Sequence, residues 1–194
     1  MSLTVGLTGP SGAGKSSIKS VAENLGFKVI DCDICAREAV KKGTDGLNAL
    51  KKAFGKEILN SNSELDRAKL AKIAFSTKEN TKLLNKTLLP YIVLIIREKM
   101  TGDYILLDAP TLFESGIDFI CDGIISVTCD KEKSIQRIML RDNVTRESAE
   151  KRLGSQHGAE YYKSKSDFCI ENNGDIDTLK AKADATARKI INGN

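Results

Sequence analysis

Between an apolar run, LTVGLT at residues 3–8, and a segment with helical spacing lies Gly9-Pro10-Ser11-Gly12-Ala13-Gly14-Lys15-Ser16. This spells G-x-x-x-x-G-K-[ST], the pattern of a loop that cradles phosphate. Glycines let successive backbone N–H groups turn inward around an anion with no Cβ in the way. A helix starting at the end of the loop adds its unpaired amides and positive dipole end. Lys15 can reach the β- and γ-phosphates of a nucleotide, with ATP the favoured one, and the Ser16 hydroxyl can ligate Mg²⁺.

A phosphate cradle serves switches, motors and kinases alike, so other residues must distinguish them. The second apolar run, FKVI, closes on Asp31-Cys32-Asp33, and a helix carrying Arg37 follows. Ligands of open parallel sheets bind beyond the carboxyl ends of the strands. A carboxylate there could take the proton of an acceptor hydroxyl as the γ-phosphoryl group transfers. Asp33 is the candidate for that work, ahead of Asp31; the alternative is that Asp33 caps the helix. A third run, YILL at 104–107, ends on Asp108, placed as a carboxylate that would hold Mg²⁺ directly or through water. Leu112, Phe113 and Glu114 follow in a stretch too apolar for a solvated loop and too short for a core element, suited to walling a substrate pocket.

Between Lys131 and Arg152 seven Lys/Arg face four Asp/Glu, with Arg137, Arg141 and Arg146 closely spaced. Such a run is either a solvated helix face or, after the fourth strand of a phosphate-binding fold, a lid. Arginine suits a lid because its guanidinium pairs with two phosphate oxygens and never deprotonates. A lid also excludes water that would otherwise consume the donor. Asn172-Asn173-Gly174 near the end offers either a nucleotide-base contact, with Asn172 and Asn173 the candidates and Asn173 the one assigned to ATP, or a simple turn. No N-K-x-D follows to read guanine, which disfavours a GTPase-type switch.

The elements that must position these groups read as α/β. Ile18, Val21, Ala22 and Leu25 share one helical face, and Gly26 closes that helix. The unalternating runs YILL and GIISVT (123–128) suit strands buried on both faces, with a last strand at DFCI (167–170). Ile176, Leu179, Ala183, Ala187 and Ile190 form the stripe of a closing helix. These pieces predict a three-layer sandwich with a five-stranded parallel sheet, of the P-loop nucleotide-kinase type. Residues 44–100 hold helical patterns and no strand, predicting a helical insertion between the second and third strands, in which Pro90 should kink or divide a helix. The lid falls at about 141–156, and the 194 residues make one domain.

Five cysteines, an odd number scattered through the chain, argue against a disulfide framework and for a reducing, cytoplasmic setting. Cys32 and Cys35 read as inert thiols rather than a zinc or redox pair. No run is long enough to span a membrane, MSLTVGLTG lacks the features of a signal peptide, and a net charge of +4 is too mild to argue for nucleic acid.

Over nearly its whole length the chain resembles the dephospho-coenzyme A kinase family. The matching stretches are GLTGPSGAGKSS, VIDCDICAREAV, LDRAKLAKIAF, LLNKTLLPYI, DAPTLFESG, QRIMLRDNVTRE and IENNGD. Leu89 stands where that family often has histidine, and Thr111 where it often has leucine. The resemblance implies phosphorylation of the ribose 3′-hydroxyl of dephospho-CoA by ATP with Mg²⁺, the last step of coenzyme A synthesis. It implies that Gly12, Ala13, Gly14, Lys15, Ser16 and Ser17 bind the ATP phosphates, that Asp33 is the general base and that Arg141 is a lid arginine on the phosphates. Thr8, Asp33, Arg37, Leu112, Phe113 and Glu114 would contact the acceptor, and the helical insertion would be a CoA-binding subdomain. The rival readings are a kinase for another small alcohol or nucleoside, and a nucleotide-dependent switch.

Overall fold

The computed structural model describes residues 2–193. The chain runs β1 (Leu3–Thr8), α1 (Lys15–Asn24), β2 (Lys28–Asp31), α2 (Cys32–Ala39), α3 (Asp45–Phe54), α4 (Arg67–Ala74), α5 (Lys78–Lys99), β3 (Tyr104–Asp108), α6 (Leu112–Ser115), β4 (Gly123–Thr128), α7 (Lys131–Asp142), α8 (Arg146–Gly154), α9 (Ala159–Lys165), β5 (Phe168–Glu171) and α10 (Ile176–Ile191). It forms two compact units, one within Met1–Ile30, Thr101–Leu112 and Asp118–Asn194, the other Asp31–Met100 with Phe113–Ile117.

The first unit carries a five-stranded sheet in the order β2-β3-β1-β4-β5. Strand β1 lies at its centre, parallel to β3 and β4, and β4 is parallel to β5. The five residues Thr4–Thr8 are all buried, as a strand covered on both faces requires. Val5 and Leu7 share one core with Ile18 and Ala22 of α1 and Leu179, Ala183 and Ala187 of α10. On the opposite face a Cβ at Gly6 would meet Leu112 Cδ2 and Cys121 Sγ, each at 2.9 Å. Helices thus cover both faces and make the three layers that the sequence predicts. Within the closing helix's stripe Ile176 departs from expectation, with 49% of its surface exposed.

The second unit is helical. Val40, Leu50, Phe54, Ile58, Leu70 and Ala74 form its core, and Leu84 and Leu88 pack against them. Lys99 at the end of α5 pairs with Glu38 of α2 at 2.7 Å. Pro90 does not divide the segment: α5 is one helix of 22 residues with the proline inside it. A proline within a helix removes a backbone bond and costs about 3 kcal/mol. Burial of Ile92, Val93 and Ile96 on the same helix offsets that loss.

Candidate active site

Strand β1 ends in the core, and the chain turns at its carboxyl end into the glycine loop. Gly12 and Gly14 have φ of +78° and +105°, a region that L side chains rarely adopt. A Cβ on Gly14 would also sit 2.3 Å from Asn172 Nδ2. Gly14 is the N-cap of α1 and no side chain caps that helix. The loop and the start of α1 border a cavity of about 490 Å³, whose lining includes Lys15, Ser16, Ser17, Asp108 and Arg141. The structure therefore brings together in the first unit most of the residues expected to handle phosphate and metal. Ala13 turns its side chain into the core instead and is fully buried.

Lys15 Nζ donates to Gly9 O at 2.5 Å and to Pro10 O at 3.1 Å, so the ammonium rests on the carbonyls of its own loop. Asp108 Oδ2 accepts from Lys19 Nζ at 2.8 Å, while Asp108 Oδ1 is buried and has no hydrogen-bond partner among the described residues. Lys19 was not among the sequence candidates. Its signal was available: it lies four residues after Lys15, hence on the same face of α1.

The basic run folds as the expected helix, turn and helix. Asn143 adopts the left-handed conformation between α7 and α8, and the Thr145 hydroxyl caps α8. Arg141 pairs with Asp142 at 2.8 Å and its Nη2 donates to Ser11 Oγ at 3.3 Å. Arg152 also bonds to Asp142. Hydrogen bonds from Arg141 above all hold the Asp142 carboxyl down to about 2. Beyond α8, Gln156 Oε1 accepts from Ser11 N at 2.9 Å. Arg146 is committed to Glu132 and Glu150.

Asn173 does not line the cavity. Its Oδ1 accepts from Asp130 N at 2.8 Å, which fixes the loop after β5. The cavity-lining residue of the pair is Asn172, 5% exposed, whose Nδ2 donates to Ala13 O at 2.7 Å. Arg137, named with Arg141 and Arg146 in the basic run but given no role of its own there, reaches both Asn172 and the Gly12 carbonyl.

The acceptor candidates divide. Thr8 and Leu112 are completely buried in the first unit; Thr8 Oγ1 donates to Pro110 O at 3.3 Å, and Leu112 packs under Gly6. Both side chains support the sheet and its following loop and present no surface to a substrate. Asp33, Arg37, Phe113 and Glu114 all belong to the second unit. There the cap of α2 proves to be Asp31, whose Oδ1 accepts from Ile34 N at 2.9 Å. Asp33 occupies the exposed second position of the helix, and Arg37 lies one turn on. Asn85 Nδ2 donates to Glu114 O at 2.6 Å and secures the short α6 segment. Cys32 and Cys35 are buried and unbridged, and burial raises the Cys35 thiol above its usual range.

Comparison with known proteins gives a consistent result. A family model described as Dephospho-CoA kinase matches residues 3–178. A dephospho-CoA kinase of Listeria innocua is 36% identical over 198 residues, covering 99% of this chain and 99% of that one. Another, from Oryza sativa subsp. japonica, is 37% identical over 96% of this chain and 84% of the relative. Among solved structures, a dephospho-CoA kinase from Campylobacter jejuni aligns over 100% of both chains with a TM-score of 0.67 and 29% identity.

Proposed function

The chain belongs to the dephospho-CoA kinase family, and from that premise we propose how its residues share the reaction. It transfers a phosphoryl group from ATP to dephospho-CoA in coenzyme A biosynthesis. The observation that carries the assignment of roles is one cavity bordered by the glycine loop, Lys15, Asp108 and Arg141. Backbone amides of Gly12–Ser17 hold the ATP phosphates. Lys15 leaves the Gly9 and Pro10 carbonyls for the β- and γ-phosphates, where its charge meets the charge that develops during transfer. Arg141 closes on the same phosphates from the lid at about 141–156, exchanging its Ser11 contact for phosphate oxygens.

Asp33 takes the proton of the acceptor ribose 3′-hydroxyl as the oxygen attacks phosphorus and the bond to ADP breaks. Support comes from its place on the exposed face of the first turn of α2, just after the capping residue Asp31. Arg37, Phe113 and Glu114 serve acceptor binding with Asp33, in the same compact unit, and the helical insertion at about 44–100 is its CoA-binding subdomain. The orphaned Asp108 Oδ1 and the neighbouring Ser16 fit Mg²⁺, which takes one or two protein oxygens and completes its shell with water and phosphate. When bound, Mg²⁺ neutralises charge on the β- and γ-oxygens. Among the described residues no helix is long and apolar enough to cross a membrane, and the setting we assign is the cytoplasm.

The test is incubation with ATP, Mg²⁺ and dephospho-CoA, followed by mass spectrometry of the products. One coenzyme A per ADP is expected. ADP without coenzyme A would keep the cradle and reject the acceptor, and a panel of other alcohols and nucleosides would then identify it.

A further inference from the structure

An anion cradle made of backbone amides works only if the peptide planes are held with N–H groups inward and carbonyls outward. Glycines make that arrangement possible, but their freedom also makes it one of many. In this protein the carbonyls of two successive cradle residues are gripped by side chains far away in sequence. Asn172 Nδ2 donates to Ala13 O at 2.7 Å, and Arg137 Nη1 donates to Gly12 O at 3.4 Å.

The two grips are joined. Arg137 Nη2 reaches Asn172 O at 3.3 Å and Asn172 Oδ1 at 3.4 Å, and Nη1 also contacts Cys129 Sγ at 3.3 Å. Asn172 N donates to Thr128 O at 2.8 Å, tying the residue to the end of β4. The carboxamide thus has its oxygen toward a guanidinium and its NH₂ toward a carbonyl, which fixes its orientation. Because the peptide bond is planar and trans, holding the Ala13 carbonyl on one side directs the Gly14 N–H to the other. Gly14 lines the cavity. The requirement for glycine at position 14 has the same origin, since a Cβ there would collide with Asn172 Nδ2.

We propose that Asn172, buttressed by Arg137, is a positioning residue that aims the phosphate cradle by holding its carbonyls. Asn172 therefore acts on the phosphates of the nucleotide through the loop and makes no contact with the base. The inference rests on the assignment of Gly12–Ser17 as the phosphate cradle.

The experiment separates phosphate from nucleoside by titrating ATP and inorganic tripolyphosphate, each with Mg²⁺, into the full chain by calorimetry. Asn172→Ala should weaken both ligands by about tenfold, the loss expected for one hydrogen bond of this kind. Asn172→Asp, nearly isosteric but unable to donate to Ala13 O, should weaken both further. Steady-state kinetics should show a raised KM for ATP, with kcat and the KM for dephospho-CoA within about twofold of the parent, the pattern of lost uniform binding. Weaker ATP with unchanged tripolyphosphate would place Asn172 on the nucleoside and overturn the proposal. Unchanged affinity for both, with only a lower melting temperature, would reduce the residue to a structural one and also overturn it. Where the alanine variant does not fold, the aspartate variant decides alone. Failure of the parent protein to bind tripolyphosphate or ATP would reject the cradle itself; binding by the parent with unaltered variants would reject only the role of Asn172.

Discussion

The ion pair between Lys19 and Asp108 has a direct consequence for divalent cations. The two side chains are only 31% and 11% exposed and meet at 2.8 Å. At an effective dielectric of about 20, two unit charges at that distance attract by roughly 6 kcal/mol. Desolvation of both ions removes most of this, and a hydrogen bond between charged groups retains about 1.5–3 kcal/mol. In the nucleotide-free protein a divalent ion that takes Asp108 must displace that interaction. Lys19→Met keeps the unbranched stem and removes the charge. Mn²⁺ titrated into nucleotide-free protein and followed through the electron-spin signal of the unbound ion should therefore bind roughly 10- to 150-fold more tightly to the variant. Without divalent ions the variant should melt about 3–12 °C lower, since its Asp108 is left buried and unpaired, and Mn²⁺ should restore the loss. Equal Mn²⁺ curves for parent and variant would refute the competition between lysine and metal for Asp108.

Asp33→Asn should lower kcat by about 100-fold or more while the KM for ATP stays near the parent value; unchanged turnover would remove Asp33 from the proton transfer. Asp31→Ala should instead cost about 1 kcal/mol of stability through its lost cap, read as a lower urea midpoint, with kcat largely kept. Gly14→Ala should abolish measurable nucleotide binding in calorimetry, because both the +105° φ and the 2.3 Å approach to Asn172 oppose a methyl group there. Burial first, then Asp118, Asp122 and Asp167, push the Cys121 thiol up to about 12 from 9.0. Native Cys121 should resist iodoacetamide at pH 8 that labels the denatured chain, as peptide mass spectrometry would show. Above pH 9 the unfolded chain ionises this thiol and the native one does not, so its contribution to stability is lost as pH climbs toward 12, and Cys121→Ala should flatten that part of the pH profile.

What the sequence made legible was local. The glycine loop, the capping Gly26 and the runs at 104–107 and 123–128 each carry their signal within a few residues; the structure puts the loop between β1 and α1, Gly26 with φ +86° just after α1, and the two runs in β3 and β4. The cap of α2 was also a local matter but turned on a single position. Strand β2 runs through Asp31, so the side chain that reaches back to Ile34 N belongs to Asp31. Pro90 does not divide α5 because the local penalty is set against the tertiary burial of the same helix, which the sequence pattern does not display. Asn172 was visible only in an Asn-Asn-Gly stretch that read as a base contact or a turn, and not as a support of the loop, since its partner Ala13 lies 159 residues away. Ile176 illustrates the same limit, for its helical stripe is regular while its side chain borders the cavity and stays exposed.

Charge in the cavity gives these long-range contacts a common meaning. Lys15, Lys19, Arg137 and Arg141 border it together with a single carboxylate, Asp108. Such a surplus of positive charge at close range opposes folding unless each cation finds an acceptor. Lys15 rests on Gly9 and Pro10, Lys19 on Asp108, Arg137 on Gly12 and Asn172, and Arg141 on Asp142 and Ser11. Most of those acceptors are neutral carbonyls and a hydroxyl, which hold an ammonium or guanidinium less strongly than a phosphate oxygen does. A triphosphate therefore gains the difference at several cations at once, while the carbonyl grips on Gly12 and Ala13 keep the cradle from rearranging as the charges move. Nucleotide affinity in this protein is thus set as much by what Lys15 and Arg141 must give up as by what they acquire, and strengthening a resting partner of either should weaken ATP.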